Sequence, residues 1–77
     1  MFKAIIVTPN KVLFEGTAWS VFLPGATGEF EVMDMHKAIV SLLRQGNIVI
    51  DWGAEIPITS GAVRMSGDEL VAVVESD

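Results

Sequence analysis

The chain has 77 residues, 51% of them hydrophobic and 19% charged, and ten acidic against five basic side chains give a net charge of −5. That length builds one small core, and the apolar fraction excludes an intrinsically disordered chain. The longest apolar run, Leu70 to Val74, falls far short of the roughly 20 residues of a membrane-spanning helix. Phosphate binding relies on Lys and Arg clusters that are absent here, so nucleic acid is not an expected partner. The chain has no cysteine, which removes disulfides and thiolate chemistry.

Nine short apolar stretches follow one another between seven glycines. They are Lys3–Thr8, Val12–Glu15, Ala18–Leu23, Glu29–Met33, Ala38–Leu43, Asn47–Trp52, Glu55–Thr59, Ala62–Met65 and Glu69–Glu75. Phe2 to Val7 is too short for a secretory h-region and stops at Thr8-Pro9. Most stretches are rich in Val, Ile and Phe, which suit a pleated, half-buried surface. Alternation assigns faces: Trp19, Val21 and Leu23 share one, Phe30 and Val32 another, and Ile48, Ile50 and Trp52 a third. Within Ala38–Leu43, the residues Ile39, Val40, Leu42 and Leu43 fit a helix as well as a buried strand. Pro57 interrupts a good strand pattern and places that strand at an edge or a bulge, where a missing N–H costs little. In the last stretch Leu70, Ala72 and Val74 face the core, which leaves Val71 and Val73 on the other side to be covered by something else. Short strands at this spacing predict an all-β fold over residues 1–77. We expect a small β-sandwich or flattened barrel of mainly antiparallel strands.

Little in the sequence supports catalysis. The only histidine is His36, and no serine sits in a nucleophile elbow, so an enzymatic triad is not expected. Asp34 and His36, with Glu29 or Glu31, offer metal-ligating side chains, but a site needs three or four convergent ligands and a solvated acidic turn explains them as well. Gly25-Ala26-Thr27-Gly28 has the spacing of a phosphate clamp, yet it carries no cation and Glu29 and Glu31 follow at once. It reads as a turn. In Glu29-Phe30-Glu31 the strand period sends two carboxylates one way and Phe30 the other. Two explanations stand side by side: a charged edge strand that blocks aggregation, or an acidic surface that docks a basic partner.

The order of motifs resembles a known family. Ile6-Val7-Thr8-Pro9, Val12-Leu13-Phe14-Glu15-Gly16, Val21-Phe22-Leu23-Pro24-Gly25 and Gly28-Glu29-Phe30-Glu31-Val32 are followed by His36, Ser41-Leu42-Leu43, Gly46-Asn47-Ile48-Val49-Ile50 and Ser60-Gly61-Ala62-Val63. Together they are similar to the N-terminal domain of the ε subunit of F-type ATP synthases, called δ in mitochondria. The resemblance covers essentially the whole chain. It implies a β-sandwich of about ten strands at the foot of the rotor, between the γ subunit and the polar loops of the membrane c-ring. By this resemblance Glu29, Phe30 and Glu31 meet the c-ring loops, while Thr8, His36 and Ser41 face γ. The implied role is to hold γ to the ring so that proton- or sodium-driven rotation reaches the catalytic head. It needs no catalysis, cofactor or small-molecule substrate of its own. The implied location is peripheral, on the cytoplasmic face of a bacterial inner membrane or the equivalent organelle face.

Two departures from the family pattern stand out. Asp34-Met35-His36-Lys37-Ala38 replaces the usual Pro-Gly-His-Ala-Pro. The two-helix C-terminal arm is not expected, so its inhibition of hydrolysis and its ATP binding are not carried over. A rival reading is a lipoyl- or biotinyl-type carrier modified at Lys37, from a passing likeness of its turn. A generic adaptor sandwich is the third.

Overall fold

The computed structural model describes residues 1–34 and 38–76. Each of the nine apolar stretches forms a strand: β1 (Phe2–Val7), β2 (Val12–Ala18), β3 (Ser20–Gly25), β4 (Gly28–Met33), β5 (Ile39–Leu43), β6 (Gly46–Ile50), β7 (Ala54–Ile58), β8 (Ser60–Ser66) and β9 (Glu69–Glu75). The described residues contain no helix, and the segment around Val40 resolves to a strand paired with β8. Among the described residues nine strands therefore stand where the resemblance implied about ten.

The strand order is β2-β1-β9-β8-β5-β3-β6-β7, with β4 branching from β3. It bends into two layers that form a nearly closed, barrel-like sandwich, β2-β1-β9-β8-β5 against β4-β3-β6-β7. The layers join where Gly25 pairs with Leu43. All pairings are antiparallel except β1 with β9. The Pro57 strand is an edge strand, as the proline requires. The inner faces supply one core: Ile6, Val21, Leu23, Val32, Ile48, Val63, Met65, Leu70, Ala72 and Val74 are all buried. Burying each of these larger aliphatic side chains contributes about 1.5–3 kcal/mol.

Tryptophan is where alternation fails. Trp19 lies at a bend before β3, and Trp52 lies in the turn after β6; both are exposed rather than inward. The β6–β7 turn closes with the Gly53 N–H donating to the Ile50 carbonyl at 3.0 Å. Its residues Asp51 and Trp52 have φ of 51° and 60°, the left-handed conformation that bulky side chains avoid. A period of two continues only while the backbone stays extended.

Candidate docking surfaces

The outward side of β5, β8, β9, β1 and β2 is apolar at one end and polar at the other, where Ser66, Glu69, Lys3 and Thr17 align. Register aligns Leu42, Ala62, Val73, Val7 and Val12 in one row across all five strands. The adjacent outward row is Val40, Arg64, Val71, Ile5 and Glu15. Val40 is 81% exposed, Leu42 68% and Val73 51%. The second apolar side of β9 thus belongs to a patch five strands wide, not to one strand. Alternation singled out Val71 and Val73, but only the pairing shows which residues stand beside them.

Thr8 borders this patch. It is half-buried, and its hydroxyl accepts from the Asn10 and Lys11 N–H groups at 3.2 and 3.1 Å, which fastens the β1–β2 turn. Ser41 lies in the inward row with Val63 and Ala72, and its hydroxyl donates to the Leu42 carbonyl. Its neighbours Val40 and Leu42 are the residues that reach outward. His36, like Lys37 of the carrier reading, lies outside the described residues. Among the described residues no group of three or more metal-ligating side chains converges.

The Glu29-Phe30-Glu31 segment lies on β4, an edge strand paired with β3. Pairing of Leu23 with Phe30 and burial of Val32 send Phe30 inward, where it packs half-buried against the core. Glu29 and Glu31 are registered with Pro24 and Phe22 on the outward face. The two carboxylates differ in their surroundings. Glu29 is exposed beside the hairpin tip, whereas Glu31 is half-buried and hydrogen-bonded. Ser20, buried in β3, donates its hydroxyl to Glu31, and the Trp52 indole N–H donates to the same carboxylate at 2.9 Å. Asp51 supports the arrangement: its carboxylate accepts from the Trp19 and Ser20 N–H groups at 2.6 and 3.1 Å. Glu31 and Asp51 therefore fix the turn that carries Trp52. At the hairpin tip a Cβ on Gly25 would press against the Gly28 carbonyl and come within 2.8 Å of the Phe30 ring, so the close crossing requires glycine.

The strand order and the two developed outer faces define a small β-sandwich domain. Residues 1–76 match the family described as ATP synthase, Delta/Epsilon chain, beta-sandwich domain, and the chain belongs to that family. The ATP synthase epsilon chain of Sulfurovum sp. (strain NBC37-1) is 40% identical over 97% of this chain, which spans 62% of that relative's length. The ATP synthase epsilon chain of Chlorobium limicola is 31% identical over 96% of this chain and 89% of its own length. A chain in the central stalk and c-ring structure of the Tetrahymena thermophila mitochondrial ATP synthase superimposes with a TM-score of 0.77 at 16% identity. That superposition covers 96% of this chain and 63% of the other, and it shows the same fold. The sandwich expected from the sequence is the family's fold, and these similarities do not favour the carrier reading.

Proposed function

We propose that this chain is the sandwich part of a rotor subunit that docks the γ subunit onto the c-ring of an F-type ATP synthase. The observation that carries the reading is the outward row Leu42, Ala62, Val73, Val7 and Val12. An apolar patch on one face of a protein this small marks an interaction surface. We assign it to γ, with Val40 and Leu42 as anchors and Thr8 at its border. His36 and Ser41 keep the γ-facing assignment implied by the family resemblance, Ser41 acting by holding the strand that presents Val40 and Leu42.

The hairpin tip, with exposed Glu29, faces the c-ring loops in this reading. Glu31 and Phe30 support the tip from behind: Phe30 anchors the hairpin in the core, and Glu31 braces its outer face. The domain does no bond chemistry and transmits torque through these contacts. It would work at the membrane surface through its complex, on the cytoplasmic side in a bacterium.

Co-expression with γ from the same source, followed by size exclusion, tests the reading. The expected result is one-to-one co-elution that is lost in a Leu42→Glu, Val73→Glu double variant and kept in Glu29→Gln. Separate elution of the unaltered chain from folded γ would overturn it.

A further inference from the structure

The two apolar rows of the five-strand face hold a single cation, Arg64 of β8, and it is exposed. Register sets Val40 on one side of it and Val71 on the other. Along β8 the next outward residue is Ala62, itself flanked by Leu42 and Val73. Aliphatic side chains thus surround Arg64 on three sides. Among the described residues the recorded ion pair is that of the Met1 ammonium with Asp34, at the other end of the sandwich, and Arg64 takes part in none. Glu69, the nearest carboxylate by register, is paired with Ser66 and so stands diagonal to Arg64, about 7–8 Å away. Glu15, in the same row as Arg64, is three strand intervals off, about 14 Å.

A long cationic side chain can lay its alkyl stem over apolar neighbours and keep its head in water, which suits the free domain. Docking changes this. A partner that covers both Val40 and Val71 also covers the residue between them, so the guanidinium leaves water. Arginine keeps its charge when buried, and a buried charge without a counter-charge is strongly unfavourable. We propose that Arg64 selects the partner on this face by requiring a carboxylate at the facing point of γ. This rests on the γ-docking reading and adds the chemistry that γ must supply. A guanidinium fork on a carboxylate has one bidentate geometry, so the pair also fixes the register of docking, which aliphatic rows alone leave loose. A surface that brings no acidic group strands the charge and is rejected. Enclosed by aliphatic side chains, the pair is screened little by salt.

The test measures the affinity of purified γ from the same source for the immobilised chain by biolayer interferometry, with thermal melts in parallel. Arg64→Met keeps a long apolar side chain and removes the charge, and Arg64→Glu reverses it. Binding should weaken by about tenfold or more in Arg64→Met and about a hundredfold or more in Arg64→Glu. Both variants should melt within about 4 °C of the unaltered chain, since the position is exposed. Glu69→Gln, which removes the diagonal carboxylate, should leave the affinity within about twofold. In a second arm each exposed Asp and Glu of γ is changed singly to Lys, and one of these γ variants should restore binding to Arg64→Glu. Undiminished binding by Arg64→Met and Arg64→Glu would overturn the proposal, as would failure of every γ variant to rescue Arg64→Glu. If those two variants bind normally while the Leu42→Glu, Val73→Glu double variant does not, the γ reading stands and the role of Arg64 alone falls. An unaltered chain that fails to bind folded γ removes both.

Discussion

The two outer faces of the sandwich are made of similar short strands, yet they expose opposite chemistries. The five-strand face exposes Val40, Leu42 and Val73, with Arg64 and Glu15 in its second row. The four-strand face shows an aromatic and aliphatic strip edged by carboxylates, with no cation in its strands or hairpin turns. An apolar face binds by excluding water and tolerates salt. An acidic face selects its partner by charge and weakens as salt rises. One small domain thereby carries two surfaces that suit different partner chemistries.

Mutations sharpen this contrast, beginning with the sides of β4. Phe30→Ala removes an inward ring that packs on the core and should cost about 3 kcal/mol. For a chain of this size that lowers Tm by roughly 12–24 °C. Glu29→Ala, one residue away on the outward side, should stay within about 0.5 kcal/mol. Equal shifts in thermal melts of the two variants would show that the strand's faces are wrongly assigned.

Glu31→Ala is expected to fall between them. It leaves the buried Ser20 hydroxyl and the Trp52 indole without their acceptor, at a cost of about 1–3 kcal/mol. Glu31→Gln keeps an acceptor and should cost less. Hydrogen exchange at the Trp52 indole should quicken in the alanine variant, and an unchanged rate would mean that the carboxylate does not hold the ring. The smallest effect belongs to the five-strand face. Val40→Lys and Leu42→Lys should each change stability by no more than about 0.5 kcal/mol, because both side chains already meet solvent. Any self-association of the isolated chain, read by sedimentation, should diminish in both.

Much of the fold was legible in the sequence because a period of two is a local signal. The alternation of Val21 and Leu23, of Ile48 and Ile50, and of Leu70, Ala72 and Val74 marked core positions that are buried. Pro57 marked an edge, since a residue without an N–H suits a strand with a free side. The opposed directions of Phe30 and its flanking glutamates followed from the pleat alone.

What the sequence left undecided depended on which strands become neighbours. A run such as Ile39 to Leu43 satisfies helix and strand equally, and pairing with β8 decided it. Val7, Val12, Ala62 and Leu42 are scattered along the chain, and only register across five strands gathers them around Val73. Glu31 reads like Glu29 in the sequence, yet Ser20 and Trp52, 11 and 21 residues away in the chain, make it a structural acceptor. Local alternation fixes which way a side chain points, whereas tertiary pairing fixes what it meets, because contacts between strands depend on long-range closure that no short window of sequence contains.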